Sequence, residues 1–548
     1  MMPKQSASPA KSARVYCALI LAATVGALIL RLPLLQMRPM HGDEAVHAYK
    51  FGDLLEKGVY TYDPNDYHGP TLNYFTLIPA RLSGAGNLTQ VTEWTLRIVP
   101  VFFGVLLVAL FLLMTDGLGR AAAAFAAILT AISPAMVFYS RYYIQEMLLV
   151  CFTFGAIVCG YRYAQSKSII WALCTGVFLG LMHATKETCV IAFVSMLVAL
   201  LITLALSHRQ RSADIDAAKP IKVSQLIAGF LAAVVVSALF YSSFFSNPAG
   251  FVDSLQTYGN YFSRMGHNAI HIHPWHYYLK MLIYSRYNGG PIWSEGFIIV
   301  LALIGVVVAI RARSISGIQA GFYRFIAFYT IIMTVIYSAI PYKTPWCLLG
   351  FLHGMILLAG IGGVAIVRVV PNVLPRLIVL CLLFEASFLL LWQSHRANFI
   401  YYADYRNPYV YAHPTMDVFA MVARVEEMAQ VSETGRNMNV KVICPAHDYW
   451  PLPWYLRSFR NIEWTDRVSD NVISAPLIIA SSSVEQELLG KLYQLPPPGE
   501  KQLYVPLFDT YMELRPGVEL RGYVTQELWS RYKQQGVPDA LKGAGGRR

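Results

Sequence analysis

Long apolar runs alternate with short polar segments over most of the chain. Eleven of these runs are close to the length of about 20 residues at which a helix spans a bilayer. They lie at residues 15–36, 95–114, 121–139, 145–163, 169–185, 188–207, 225–245, 296–310, 325–341, 347–367 and 376–394. The pattern predicts a polytopic α-helical membrane protein of about eleven transmembrane helices, with a transmembrane domain over residues 15–394.

The pattern of apolar and polar positions changes beyond residue 394. Helix-like spacing at 416–430 precedes two short apolar runs, VKVICP (440–445) and APLIIASS (475–482), which are typical of buried strands. Strands that alternate with helices predict an α/β domain, to which we assign residues 395–540. This stretch contains no glycine-rich phosphate loop, so a scaffold or a lid is the simplest interpretation of its role.

Basic residues are unevenly distributed among the segments that separate the apolar runs. Alternate segments, beginning with the N-terminal one, are rich in lysine and arginine, whereas the short loops between them hold one basic residue each. The positive-inside rule places the basic segments in the cytoplasm. Residues 1–14 then form a cytoplasmic tail. The large loops 37–94 and 246–295 then face the exterior, as does the α/β domain. A disordered tail is predicted at 541–548.

Composition and net charge agree with this topology. Of the 548 residues, 56% are hydrophobic and 14% are charged, with a formal net charge of +12. Most of the excess positive charge lies in cytoplasmic loops that face anionic lipid, so it requires no nucleic-acid partner. We predict a multi-pass protein of the cell (inner) membrane, with a cytoplasmic N-terminus and an extracytoplasmic C-terminal domain.

The segment HGDEAVHAY (41–49) directly follows the first apolar run and carries two adjacent carboxylates, Asp43 and Glu44. Asp43 could cap a surface helix that runs from Glu44 to about Lys57. Capping needs only one of the two carboxylates, however. Ionisable groups at membrane depth are energetically costly, so those that occur there mark functional sites. We therefore predict that Asp43 and Glu44 are catalytic.

Further ionisable residues lie at the same outer ends of the predicted helices. YHGPTLNYF contains His68, SPAMVFYSRYYIQEM contains Arg141 and Glu146, HATKETC contains Lys186, and IPYKTPW contains Lys343. A turn at His68, an Arg141–Glu146 pair that braces a loop, and lysines that reach lipid headgroups are the structural alternatives. Isolated cations on a side where positive charge is scarce favour a phosphate ligand, so we predict that these five residues bind substrate.

Carboxylates and cations at the edge of a bilayer suit a polyprenyl-phosphate-linked sugar. A carboxylate can deprotonate an acceptor hydroxyl while cations stabilise the departing lipid phosphate. We predict a membrane glycosyltransferase that moves a hexosyl or pentosyl group to an acceptor glycan, lipid or protein by direct displacement. A lipid-linked sugar flippase, a transporter component and a non-catalytic assembly protein are the alternatives. Transporters usually place ionisable groups near the bilayer midplane, which disfavours the first two.

Six motifs, in order, resemble a known family. They are DEAVHAYKFGDLLEKG, HGPTLNYF, TLRIVPVFFG, SPAMVFYSRYYIQEML, GLMHATKE and YKTPW. Over about residues 15–395 the chain resembles the C-type glycosyltransferase fold of the dolichyl-phosphate-mannose–protein mannosyltransferase superfamily (glycosyltransferase family 39-like), and is similar to its flippase-associated branch. The resemblance implies a helix bundle with surface helices in the first outer loop and a lipid-phosphate sugar as donor. It places the family's base on Asp43, with Glu44 assisting. Glu146 stands where many relatives have Asp, and His68 where many have Lys.

The second large outer loop is rich in histidine. Within GHNAIHIHPWHYYL (266–279), His267, His271, His273 and Trp275 are possible contacts to substrate. A divalent metal is possible here, although no spacing matches a zinc signature, and the sequence requires no cofactor.

Overall fold

The computed structural model describes residues 9–65, 68–209, 222–264, 271–311, 317–469, 471–494 and 502–535. The helices that precede the C-terminal domain are α1 (Pro9–Arg31), α2 (Gly42–Lys57), α3 (Thr71–Leu82), α4 (Glu93–Ala109), α5 (Arg120–Ile132), α6 (Pro134–Ser140), α7 (Glu146–Ser166), α8 (Ile169–His183), α9 (Cys189–Arg209), α10 (Val223–Tyr241), α11 (Ala249–Arg264), α12 (Tyr277–Ile283), α13 (Gly296–Arg311), α14 (Gly317–Ala339), α15 (Leu349–Val369) and α16 (Val373–Phe399). Each of the eleven apolar runs forms helix, which confirms a mostly helical membrane protein.

Helix length limits the number of spans that can be assigned. In the described ranges, eight helices are long and apolar enough to cross a membrane, and a ninth span results if α5 and α6 count as one. The apolar helices α8 and α13 are shorter. The total of about eleven spans therefore stays a prediction.

Helices α5 and α6 meet at a bend of 58°. Pro134 opens α6, because a proline has no N–H to donate to the preceding turn and its ring clashes with that turn. The Ser133 hydroxyl caps the new helix by accepting the N–H of Met136 at 3.4 Å. The bend thus turns the chain at the end of a span toward the loop that holds Arg141.

The C-terminal domain is a mixed α/β fold, as the sequence predicts. Its helices are α17 (Asp417–Val431), α18 (Leu452–Tyr455), α19 (Glu485–Leu489) and α20 (Gln526–Gln535), and its strands are β1 (Val440–Ile443), β2 (Ile462–Thr465), β3 (Leu477–Ser481), β4 (Tyr504–Pro506), β5 (Glu513–Arg515) and β6 (Val518–Thr525). The strand order is β2-β1-β3-β6-β4, with β5 paired to β6. Strand β1 is parallel to β2 and β3, whereas β6 is antiparallel to its neighbours. The tail predicted at 541–548 lies outside the described residues.

The C-terminal domain packs on the two large loops that the charge pattern places outside. The Met40 N–H, just before α2, donates to the Tyr455 hydroxyl at 2.8 Å. His271 Nδ1 of the second loop lies 2.6 Å from the Tyr411 hydroxyl. The two loops and the domain therefore share one face of the bundle. That this face is extracytoplasmic remains a prediction from the charge pattern.

Candidate functional site

The first turn of α2 holds Asp43 at the surface. His41, not Asp43, is the N-cap: its Nδ1 accepts the Asp43 N–H at 3.0 Å, and the Glu44 carboxylate accepts the His41 N–H at 3.0 Å. The capping role considered for Asp43 is therefore wrong. The Asp43 side chain is 50% exposed and lies 3.7 Å from His41 Nδ1. Within the described ranges no hydrogen bond engages its carboxylate.

Aromatic and histidine side chains surround the Asp43 carboxylate. Its charge acts on the hydroxyls of Tyr142 and Tyr342 and on the imidazole of His271. Burial raises the pKa of Tyr342 to about 12; the charge of Asp43 adds to this rise, and that of Lys186 opposes it. Tyr342 thus lies within electrostatic reach of both Asp43 and Lys186. The site therefore has a carboxylate and an ammonium group whose charges both act on one tyrosine.

Glu44 is fully buried and is clamped by Arg97 of α4. Arg97 donates from Nε and Nη2 to the two carboxylate oxygens at 2.8 and 2.7 Å, and the Tyr143 N–H donates at 2.8 Å. Burial alone would raise the pKa of Glu44, but the charges of Arg97 and Arg38 and these hydrogen bonds lower it to about 2. Both oxygens are occupied by these hydrogen bonds, which join the first turn of α2 to α4. That Glu44 is catalytic stays a prediction.

The lowered pKa of Glu44 makes part of the stability depend on pH. The folded-state pKa lies below the ordinary value of 4.5, so the contribution is complete above pH 4.5 and is lost as pH falls toward 2. The full contribution is about 3 kcal/mol. Thermal unfolding of the detergent-solubilised protein will measure it, with Glu44→Gln in parallel. The variant will lose less stability on acidification than the wild type; equal acid sensitivity would contradict this assignment.

Arg141 binds backbone carbonyls at the end of α1. Its Nη1 donates to the carbonyls of Arg31 and Pro33 at 3.0 and 2.7 Å, and its guanidinium lies 4.6 Å from the ring centroid of Phe399. These carbonyls have no partner within the helix, so a buried arginine satisfies them. The Arg141–Glu146 pair considered from the sequence does not form, because Glu146 pairs with Lys186 instead.

Replacement of Arg141 by methionine will separate a structural role from a ligand role. Loss of the guanidinium leaves buried carbonyls unpaired, so the free energy of unfolding will fall by about 1–3 kcal/mol. The Michaelis constant for a lipid-phosphate sugar will stay unchanged in a transfer assay. A large rise in that constant without a loss of thermal stability would assign Arg141 to the phosphate after all.

The motifs HGP and HATKE are joined by their backbones. The Gly69 N–H donates to the Thr185 carbonyl at 2.9 Å, and the Thr71 N–H donates to the Ala184 carbonyl at 3.2 Å. A Cβ on Gly69 would lie 2.0 Å from the Ala184 oxygen, so only glycine permits this approach. The contact brings His68 next to Lys186 in the fold.

One ion pair and one contact between a histidine and a carboxylate form where these motifs meet. Lys186 Nζ lies 2.5 Å from Glu146 Oε1, and His68 Nδ1 lies 3.0 Å from Glu187 Oε2. The ring of His47, one helical turn along α2 from Asp43, lies 5.4 Å from that of His68. The structure thus gathers His68, Glu146 and Lys186 at one place, as the sequence predicts.

A small cavity of about 20 Å³ lies beside Glu146. Glu146 Oε2 is buried and has no hydrogen-bond partner in the described ranges. The other lining residues are mostly apolar or aromatic: Leu149, Val150, Thr153, Thr188, Ala192, Tyr329, Met333, Tyr337, Trp346, Cys347, Leu349 and Gly350. An unpaired carboxylate oxygen thus borders an apolar space between α7, α9, α14 and α15.

Lys343 is buried where the second outer loop meets the end of α14. Its Nζ donates to the carbonyls of His273, at 3.0 Å, and Ile340. His271 and His273 both approach the Tyr411 hydroxyl, at 2.6 and 3.3 Å. Lys343 therefore holds the loop in place, and the two histidines face the segment that leads into the C-terminal domain.

The remaining loop candidates do not form a metal site in the part that is described. Trp275 is 66% exposed, and His267 lies outside the described residues. Over the described ranges, no three His, Cys, Asp or Glu side chains are arranged to hold a metal ion. The possible metal raised by the histidine-rich loop therefore has no site among them.

Sequence analysis missed several buried side chains of the site. Arg38 and Arg97 surround Glu44, with Arg38 3.8 Å from its carboxylate. The Tyr411 carbonyl accepts a hydrogen bond from His41 Nε2 at 3.1 Å. Arg97 could have been noticed as a charge inside the apolar motif TLRIVPVFFG. Tyr411 could not, because it lies 370 residues from its partner.

Comparisons with known proteins agree with this architecture. The family described as dolichyl-phosphate-mannose-protein mannosyltransferase matches residues 73–248. A search of the curated proteins finds no significant match. The fold is similar to ArnT from Cupriavidus metallidurans bound to undecaprenyl phosphate, with a TM-score of 0.58, 14% identity, and coverage of 92% of this chain and 97% of that one.

A second similar structure is archaeal oligosaccharyltransferase AglB from Archaeoglobus fulgidus, in complex with an inhibitory peptide and a dolichol-phosphate. The TM-score is 0.52 with 11% identity, and the match covers 87% of this chain and 71% of that one. The resemblance drawn from the six motifs is thereby confirmed. The chain has the C-type glycosyltransferase fold, and its residues 73–248 carry the pattern of the dolichyl-phosphate-mannose–protein mannosyltransferase family.

Proposed function

We propose that this protein is a membrane glycosyltransferase that moves a sugar from a polyprenyl-phosphate donor to an acceptor hydroxyl, with Asp43 as the general base. The free carboxylate of Asp43, on a helix start that Glu44 and Arg97 hold rigidly, carries the proposal. Support comes from the two similar structures, of which one binds undecaprenyl phosphate and the other a dolichol-phosphate.

The reaction is a direct displacement. The acceptor hydroxyl gives its proton to the Asp43 carboxylate, and its oxygen forms a bond to the anomeric carbon. The bond between that carbon and the phosphate oxygen breaks, and its electron pair leaves on the lipid phosphate. A positioned base of this kind contributes about 10²–10⁴-fold to the rate.

Lys186 and His68 are the groups that we assign to the donor phosphate. Lys186 is buried against a single carboxylate oxygen of Glu146, and its charge acts on Tyr342 with the opposite sign to that of Asp43. An ammonium group has three donors, so Lys186 can bind Glu146 and a phosphate oxygen together. A cation at this position stabilises the charge that develops on the leaving phosphate. The apolar cavity is lined by Glu146, the partner of Lys186.

Other predicted residues have supporting roles in this proposal. Glu146 orients Lys186, and Glu44 orients the first turn of α2. Lys343 fixes the loop that presents His271, His273 and Trp275 toward the side from which an acceptor approaches.

The test is donor-dependent transfer by purified protein in proteoliposomes. A panel of radiolabelled polyprenyl-phosphate sugars is supplied with membrane extract as the acceptor source, and Asp43→Asn is assayed in parallel. Loss of label from one lipid donor, with no loss in the variant, is the expected result. Movement of intact labelled lipid between leaflets without consumption of any donor would instead identify a flippase.

A further inference from the structure

Four aromatic side chains form a continuous row from α2 onto the C-terminal domain. Ring centroids are 5.7 Å apart for Tyr49 and Trp450, 6.2 Å for Trp450 and Tyr449, and 4.9 Å for Tyr449 and Trp464. Trp464 lies on the edge strand β2. We call these four residues the aromatic row.

The aromatic row begins next to the proposed base. A Cβ placed on Gly42 would lie 3.6 Å from the Cβ of Trp450, and Gly42 directly precedes Asp43. The loop that carries Tyr449 and Trp450 is therefore adjacent to the first turn of α2. From there the row leads away from the membrane bundle toward the edge of the sheet.

The two tryptophans of the row differ from core tryptophans. Trp450 and Trp464 are only partly buried, and within the described ranges neither indole N–H donates to a protein acceptor. Trp454 and Trp293 are fully buried, and their N–H groups donate to Glu93 and to the Arg406 carbonyl at 2.9 and 2.8 Å. The row thus offers ring surface and unpaired donors together, whereas buried tryptophans usually find a partner.

Polar side chains border the row. Asp448 and Arg515 form an ion pair, Arg515 donates to the Trp450 carbonyl at 3.2 Å, and His447 Nδ1 lies 3.2 Å from the Tyr449 hydroxyl. Aromatic faces with a few polar groups at their edges are typical of sites for small, hydroxyl-rich ligands. The C–H face of a sugar packs against a ring, and its hydroxyls find donors and acceptors at the border.

We propose that the aromatic row binds an oligosaccharide acceptor and directs its terminal hydroxyl to Asp43. This inference rests on the proposed function and narrows its acceptor to a glycan. Tryptophan and tyrosine also gather at membrane interfaces. The border of this row, however, carries charges of both signs, and its far end lies on the edge strand of a separate domain, which favours a saccharide over a lipid surface.

Direct binding tests the aromatic row without any need for catalysis. Full-length Asp43→Asn protein in nanodiscs is titrated with fluorescent linear oligosaccharides of glucose, mannose, galactose or arabinose. Trp464→Ala and Tyr449→Ala in that background will weaken binding of the selected glycan roughly tenfold or more, since truncation of a central aromatic anchor costs that much. Trp464→Phe will retain most of the affinity.

Trp529→Ala is the matched control. Trp529 is also a half-buried tryptophan of the C-terminal domain, but it lies on α20 against Arg424 and Lys533. Its replacement will leave glycan binding unchanged. A thermal melt of every variant distinguishes loss of the glycan-binding surface from loss of the folded state.

Steady-state transfer gives the second readout. Trp464→Ala will raise the Michaelis constant for a glycan acceptor roughly tenfold and leave that for the lipid donor unchanged. The wild type could be active while its Trp464 and Tyr449 variants keep the wild-type Michaelis constant for the acceptor. That result would overturn the assignment of the aromatic row to the acceptor and leave the proposed function intact. Absence of glycan binding, or binding of phosphatidylglycerol vesicles that Trp464→Ala abolishes, would also overturn that assignment.

Discussion

Asp43→Asn protein will fold like the wild type and lose about 10²–10⁴-fold in the turnover of lipid-phosphate sugar. Folding is expected to survive because His41 caps α2 and the Asp43 carboxylate makes no hydrogen bond within the described ranges. Asparagine keeps the size of the side chain and removes only its capacity to take a proton. The turnover number in proteoliposomes and the melting temperature together will show whether the loss is chemical.

Asp53→Asn is the control for this substitution. Asp53 lies on the same helix, is 63% exposed at its side chain, and in the described part of the chain pairs with Lys57 one turn along. An exposed pair of this kind contributes little, so its loss will change neither activity nor stability measurably. Full transfer by Asp43→Asn would end the assignment of Asp43 as the base. A parallel loss in both variants would point to the surface charge of α2 instead.

Arg97→Met will cause the largest loss of stability among single substitutions at the site. It leaves the fully buried Glu44 carboxylate with Arg38 at 3.8 Å as its remaining cation. Removal of one partner from a buried ion pair costs about 3–5 kcal/mol, because the other charge stays buried without compensation. The melting temperature in detergent and the yield of folded protein will both fall.

A double substitution identifies the cause of that loss. Glu44→Leu combined with Arg97→Met removes both charges, so it will recover part of the stability that Arg97→Met loses. Arg162→Met serves as the comparison, since Arg162 pairs at 2.9 Å with a partly exposed Asp116 and will cost at most about 1 kcal/mol. Equal losses of stability from Arg97→Met and Arg162→Met would show that the buried Glu44–Arg97 ion pair contributes no more to the fold than an exposed ion pair does.

The division of labour between Asp43 and Glu44 follows from their different environments. The two carboxylates are adjacent in sequence, yet one side chain is half exposed and the other is fully buried against Arg97. Successive residues of a helix point in directions about 100° apart, so one can face the bundle while its neighbour faces the substrate side. In the proposed function, this motif of two acids supplies one reactive group, Asp43, and one anchor, Glu44.

The sequence was sufficient for those features that depend on local pattern. Apolar runs of bilayer length predicted each of the membrane helices, and the apolar runs at 440–445 and 475–482 predicted β1 and β3. The hydrophobic effect and the backbone hydrogen bonds that produce these elements act over a few neighbouring residues. The motif order was sufficient for the fold family as well.

The tertiary structure alone decided which charges are available for chemistry. Arg141, Lys186 and Lys343 look alike in the sequence. Arg141 binds carbonyls at the end of α1, Lys343 binds the carbonyls of His273 and Ile340, and Lys186 pairs with Glu146. All of these partners except Ile340 lie 40 to 110 residues away along the chain, and a buried cation takes whichever carbonyl or carboxylate the packing brings to it. The aromatic row likewise joins α2 to a domain about 400 residues later in the chain. A contact at that separation cannot be predicted from a local sequence pattern.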